Sequence, residues 1–321
     1  MVLQTRWAGM STVVLVVVAA LYYFIVYAVK RNIMFFPRRV NEAICLDDNL
    51  IDGVAYETVR CLGDVEVMVY YRREPDRTKP FVLYSHGAME IIEYNMDHFQ
   101  DSFEHVNLIA YNYRGYGRSE DASPSDWNTA IDVLYILAWI KQKFPYLDIR
   151  EDVTMYGRSI GTHVFGRLVG DPARQNILPR RLFLFTPFAR YSDVIGHNSF
   201  SALAKFLRPM LKHVIGDMEL INDLRTYLDY NDDRRLYILG IENDELTPFE
   251  HCRELHDGLN SPKCTFDSIK GFHTMRFTEF PRLAAFATTD SATAVTIEAE
   301  TEARATATET VNTNTNTNTK N

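Results

Sequence analysis

Apolar and polar positions change period several times along the chain, and each change marks an element. Residues 8–29 contain no charge. As a helix rising 1.5 Å per residue that run reaches roughly 33 Å, enough to cross a bilayer. Tyr56 to Arg60 and Val65 to Tyr71 alternate as half-buried strands do, with Gly63 and Asp64 as turn residues, and they predict an antiparallel hairpin. Phe81 to Tyr84 is nearly continuously apolar, as a strand buried on both faces should be, and Val106 to Tyr113 reads the same way. Further strands are expected at Val153 to Tyr156, Arg181 to Phe185, Leu236 to Gly240 and Cys264 to Ile269. Helical spacing lies between them. Ser125 and Asp126 cap a helix whose apolar face is read as Ile131, Leu134, Tyr135, Ala138 and Trp139 and which ends before Pro145; Ile160, Val164 and Leu168 share one face of another. Strands alternating with helices in this order imply an α/β fold, a mostly parallel doubly wound sheet with right-handed crossovers.

These patterns divide the chain into an N-terminal membrane anchor (1–32), an α/β domain (33–286) and a tail (287–321). A cleaved signal peptide is the competing reading of the first segment, but apolar residues continue past Ala19 and Ala20 to Val29, where a cleavage site should turn polar. Trp7 near one end and Tyr22, Tyr23 and Tyr27 near the other suit the two interfaces. Lys30, Arg31, Arg38 and Arg39 outnumber the charges before the span, which places the C-terminal domain in the cytosol. Within that domain 191–233 is mostly helical in pattern and sits between two sheet strands, where a lid is expected. Its Phe200, Leu203, Phe206, Leu207, Met210, Leu211 and Val214 favour an acyl-chain channel, over the packed helix pair that could also carry them. The tail is rich in threonine and alanine, ends in an Asn-Thr repeat and lacks the large apolar residues a core needs, so disorder is expected there.

Composition narrows the function classes. The chain has 321 residues, 46% of them hydrophobic, enough to fill one α/β core. A net charge of −8 argues against nucleic acid as a partner. Cys45, Cys61, Cys252 and Cys264 lack metal or redox spacing, so free buried thiols are expected, with Cys45–Cys61 and Cys252–Cys264 as the pairings an oxidising compartment would allow. No metal or organic cofactor is called for.

The chemistry concentrates at Gly157-Arg158-Ser159-Ile160-Gly161, a Gly-x-Ser-x-Gly motif between a strand and a helix. Small neighbours two residues away let Ser159 stand at the tip of a tight turn as a nucleophile, and the helix N-terminus directs the backbone N–H of Ile160 at a developing oxyanion. A His-Gly loop after a central strand supplies a second N–H, here that of Ala88, with His86 bracing the loop. Arg114 to Ser119 reads as a structural loop bordering the site. Asp244 follows a core strand with Pro248 four residues on, which favours it over Glu242 and Glu245 as the acid. Of nine histidines, His273 alone stands just beyond a strand end after that acid; His251 and His256 read as exposed helix residues, and Asp267, the rival acid, lies inside the last strand. The order Ser159, Asp244, His273 is that of a Ser-Asp-His triad on this fold.

With these residues in place the chain resembles the α/β-hydrolase superfamily over about 33–285, and within it the membrane-anchored Bem46-like branch, related to the α/β-hydrolase-domain depalmitoylases. The resemblance rests on Phe36-Pro37, Tyr84-Ser85-His86-Gly87, Tyr113 through Ser119, the elbow, Gly240 with Asp244 and Pro248, and Gly271 with His273. Thr162 stands where a further glycine is frequent, Thr274-Met275 where Asn-Asp is frequent, and Glu120-Asp121 where small residues are usual. The expectation is a serine hydrolase cleaving an ester or thioester with a lipid-like acyl group, on a membrane lipid or a protein cysteine, with the bilayer as its partner. A non-catalytic, membrane-tethered binding or scaffold module is the alternative, and three retained triad residues weigh against it.

Overall fold

A computed structural model describes residues 14, 16–24, 35–40, 53–190, 194, 220–231, 233–273 and 279–288. Its centre is an eight-stranded sheet of order β1-β2-β4-β3-β5-β6-β7-β8. β1 (Val54–Arg60) and β2 (Glu66–Arg72) form the antiparallel hairpin, closed through Gly63 and Asp64 at φ +74° and +61°. β2 runs antiparallel to β4 (Asn107–Tyr111). From β4 the sheet is parallel through β3 (Phe81–Ser85), β5 (Val153–Arg158), β6 (Arg181–Phe185), β7 (Arg235–Ile241) and β8 (Cys264–Ile269). Every residue of β3 and β4 is buried, as continuous apolar strands require, whereas the edge strand β1 alternates.

Alternate strand residues feed two cores. Leu83, Ile109, Met155, Leu182 and Ile238 meet helices α1 (Asp126–Lys143), α2 (Ile160–Val169), α3 (Leu220–Asp229) and α4 (Phe249–Leu259) on one face. Val82, Leu108, Tyr156, Phe183 and Leu239 meet Phe280 and Leu283 of α5 (Phe280–Thr288) on the other. The expected doubly wound sheet is therefore present.

Helix α1 begins at Ser125 with a reciprocal cap: Ser125 Oγ accepts the Asn128 N–H at 3.2 Å and Asn128 Oδ1 accepts the Ser125 N–H at 2.7 Å. Its buried face differs from the one read in the sequence. Thr129, Ala130, Val133, Ile136, Leu137 and Ile140 face the core, and Tyr135 is exposed. The reason is Asp132, buried in the middle of that stripe and paired with Arg114 through 2.8 Å and 2.5 Å bonds, so that a charge interrupts the apolar periodicity.

The expected membrane span falls largely outside the described residues. Val14 and residues 16–24 are helical and exposed. Among the described residues no helix is long and apolar enough to cross a membrane. Phe35 is buried edge-on against Tyr113, and the next residues run along the β4 loop, where Arg38 O accepts the Gly117 N–H at 2.8 Å. Of the expected lid, 191–193, 195–219 and 232 lie outside the described residues, and Leu220–Asp229 forms α3, whose Leu220, Leu224, Tyr227 and Leu228 pack into the sheet core. That part is a core helix, because its apolar positions repeat on one face. Residues 289–321 and Cys45 also lie outside the description. Cys61, Cys252 and Cys264 are free and buried, with burial pushing Cys61 and Cys264 up to about 12.

Candidate active site

Between β5 and α2 the backbone turns at Ser159, which adopts φ +52°, ψ −117°. A non-glycine residue reaches this region only when its surroundings enforce it. Two glycines make the turn possible: a Cβ on Gly161 would lie 2.0 Å from Ser85 O, and one on Gly157 would lie 2.8 Å from Gly161 O. The Ser159 N–H is held by Phe185 O at 3.0 Å, and Ser159 O accepts both the N–H and the hydroxyl of Thr162, at 3.0 Å and 2.6 Å. Ile160 opens α2, so its N–H belongs to the helix-terminal donors that have no intrahelical acceptor.

The loop after β3 passes directly beside the serine, with the Cβ position of Gly87 3.8 Å from that of Ser159. Three groups hold it. Glu90 Oε2 accepts the Gly87 N–H at 3.0 Å and is itself bonded by the Tyr84 hydroxyl at 2.9 Å. Ala88 O accepts the Tyr116 hydroxyl at 2.9 Å. Finally, His86 Nδ1 donates to Gly87 O at 2.7 Å, while its Nε2 faces the Tyr113 N–H at 3.4 Å. Gly87 O and the Ala88 N–H belong to one peptide unit, so His86 orients the N–H proposed for the oxyanion. Burial lowers the pKa of His86 and keeps it neutral, as an imidazole that donates from one nitrogen and accepts at the other must be.

Asp244 lies in the turn after β7. Its Oδ1 accepts the backbone N–H groups of Leu246 and Thr247 at 2.8 Å and 2.7 Å, and its Oδ2 accepts from His273 Nδ1 at 2.8 Å. Both side chains are buried, with the acid's 1% exposed. A proton on Nδ1 leaves the Nε2 lone pair available as a base. His273 follows β8, and its main chain is fixed twice: Glu245 Oε2 accepts its N–H at 2.9 Å, and Arg158 donates to its carbonyl at 2.7 Å. Ser159, Asp244, His273, Ala88 and Ile160 thus gather at the C-terminal edge of the parallel strands. Asp267 is turned elsewhere, to Arg282 at 2.8 Å and Tyr237 at 3.1 Å, and Glu242 accepts from Ser268. His251, read as exposed, is buried on α4; His256 stacks on Phe266.

Sequence reasoning did not find the charges beneath the site. Removal from water opposes the charge on Arg158, but Glu90 first, then Tyr84, Tyr156 and Glu279, raise its pKa and keep it protonated. Glu279 is fully buried, bonded by the Tyr156 hydroxyl at one oxygen, and burial raises its pKa. Its other oxygen has no hydrogen-bond partner among the described residues. Arg158 stands inside the elbow motif and Glu90 three residues after Gly87, so both lay in view; Glu279 carries no local signal.

A parallel sheet with a strained serine turn after β5, an acid after β7 and a histidine after β8 is the architecture of the α/β-hydrolase fold. Solved structures agree: an alpha-beta hydrolase from Vibrio vulnificus superposes with a TM-score of 0.62 at 17% identity, covering 79% of this chain and 90% of its own. An esterase from Pyrococcus furiosus does so at 0.58 and 17%, covering 78% and 95%. The chain is also similar to the lysophosphatidylserine lipase ABHD12 of Danio rerio, 27% identical over 219 residues, 66% of this chain and 54% of that protein. The chain spans about half the length of the curated relatives it matches. No family model matches it.

Proposed function

We propose that this chain is a membrane-anchored serine hydrolase that cleaves the ester of a lipid-like acyl group. The observation that carries the reading is the 2.8 Å bond from His273 Nδ1 to a buried Asp244, on the edge where Ser159 is held at positive φ. In the reaction His273 Nε2 takes the Ser159 proton as Oγ attacks the acyl carbonyl. The N–H groups of Ala88 and Ile160 stabilise the oxyanion, and Asp244 holds the imidazole tautomer and its charge. His273 then protonates the leaving alcohol, and water releases the acyl group by the same steps reversed. The lysophosphatidylserine lipases among the relatives favour a lysophospholipid ester over an acyl thioester. The uncharged run at 8–29 supplies the anchor, and the basic residues after it put the catalytic domain in the cytosol.

The test is fluorophosphonate labelling of the full-length protein in membranes. Wild type is expected to label, while Ser159→Ala and His273→Ala, folded by thermal melt, are expected not to. A folded wild type that stays unlabelled overturns the hydrolase reading. Release of the protein by alkaline carbonate overturns the anchor.

A further inference from the structure

We propose that Met89 and Phe272 form a bilayer-docking lip around the active-site mouth, so that substrate reaches Ser159 from a lipid surface and not from bulk water. This rests on the anchored-hydrolase reading and adds an orientation to it.

Met89 and Phe272 are 62% and 66% exposed. A single exposed apolar residue needs no explanation, but each of these adjoins a group of the proposed reaction: Met89 follows Ala88, and Phe272 precedes His273. Their loops leave strands β3 and β8, which are well separated in the sheet. The elbow brings them together: the Cβ position of Gly87, two residues before Met89, lies 3.8 Å from that of Ser159, and the adjacent Arg158 bonds His273 O at 2.7 Å. The loops that carry the two apolar side chains therefore converge beside Ser159.

The attachment of the N-terminal segment says what covers that rim. Phe35 to Arg39 docks on the same edge of the sheet: Arg38 O accepts the Gly117 N–H, Arg39 donates to Ser119 O, and Arg38 Nη1 lies 3.5 Å from Met89 O. The uncharged run ends at Val29. The few residues between Val29 and Phe35 reach on the order of 20 Å even when extended. The catalytic edge must then lie close to the bilayer, while Ile177, exposed beyond the far end of α2, lies at the opposite edge. Arg38 and Arg39, exposed on this edge, add a basic collar suited to anionic headgroups. The occupant that fits an apolar lip inside a basic collar next to a membrane tether is the surface of an anionic bilayer.

The experiment uses the full-length protein reconstituted in mixed phosphatidylcholine–phosphatidylserine vesicles. Met89→Cys, Phe272→Cys and, as control, Ile177→Cys are each made in a Cys45→Ser background and labelled with bimane. Lipids carrying a shallow doxyl group are expected to quench the probes at 89 and 272 by about half or more and the probe at 177 very little. Quenching at neither position, at only one, or equally at 177 overturns the lip, and protection of 89 and 272 only by an added protein would assign the rim to a protein partner instead. Fluorophosphonate labelling of the same samples separates the readings, because quenching without labelling retains the lip and sinks the hydrolase assignment.

Discussion

The guanidinium of Arg158 donates to the backbone carbonyl of His273 at 2.7 Å, tying the residue before the serine to the loop that carries the proposed base. Arg158 is also sustained by Glu90, whose carboxylate holds the Gly87 N–H. In the proposed mechanism the His273 loop and the Gly87 loop must be in register for Ser159 to react, and Arg158 stands between them.

Arg158→Gln should accordingly act mainly on turnover. Loss of the tie is expected to lower kcat for a short-chain ester by about 10- to 100-fold with a smaller change in KM. Leaving Glu90 and Glu279 uncompensated should also destabilise the fold by about 2 kcal/mol. Arg158→Gln combined with Glu279→Gln separates the two effects: stability should recover in part, Glu90 remaining charged, and kcat should not. Recovery of both would reduce Arg158 to a structural role.

Asp244→Asn keeps the shape of the acid and inverts its hydrogen bonding toward Nδ1. The imidazole must then turn to the wrong tautomer, and ester hydrolysis is expected to fall about 1,000-fold or more. Asp267→Asn, which only loosens the contacts to Arg282 and Tyr237, should change kcat/KM less than about threefold. Equal losses in the two variants would refute the assignment of the acid. Rates of fluorophosphonate labelling give the same comparison without a substrate.

The strands were legible because each is a short apolar run with a turn at its C-terminal end, and the elbow because steric crowding at Gly157 and Gly161 leaves few alternatives. Asp244 could be told from Asp267 by position alone, since only a residue beyond the strand end can reach across the sheet edge. The buried charges were not legible. Asp132 broke the apolar stripe of α1 and shifted its apparent face, and its partner Arg114 lies 18 residues away. Arg234, which no sequence pattern marked, is fully buried against the carbonyls of Gln175, Leu178 and Pro179. Glu279 meets Tyr156 from across 123 residues, and no local periodicity encodes that contact.

Gly161→Ala and Gly53→Ala test two different reasons for a glycine. At Gly161 the added methyl would sit 2.0 Å from Ser85 O, inside the elbow, and relief requires α2 to move off β3. The expected loss is about 3 kcal/mol in urea unfolding, with labelling of Ser159 abolished. At Gly53 nothing lies within 4 Å and only φ +80° opposes a side chain, so about 1 kcal/mol and intact labelling are expected. A Gly161→Ala protein that labels normally would contradict the packing described for the elbow.

Two groups along α2 give stability opposite pH dependences. Asp223 of α3 lies against Gly166 and Gly170, and burial pushes its carboxyl up to about 6 from 3.8, with Arg167 partly offsetting it. Folding then binds a proton between those values, so stability rises as pH falls through 6, and the ionised carboxylate is a cost at neutral pH. His163 is the reverse. Burial lowers it to about 4 from 6.5; it bonds Phe188 O at 2.9 Å and stacks on that ring, so the unfolded chain takes up the proton first and stability falls between pH 6.5 and 4. The two effects oppose each other in the wild type between pH 6 and 4. Asp223→Asn should stabilise the protein by about 1 kcal/mol at pH 7.5, allowing for the solvent exposure of the carboxylate, and should steepen the loss of stability below pH 6. Urea midpoints at pH 7.5, 6 and 4.5 decide it: a variant less stable than wild type at pH 7.5 would mean that the Arg167 attraction outweighs the burial of Asp223.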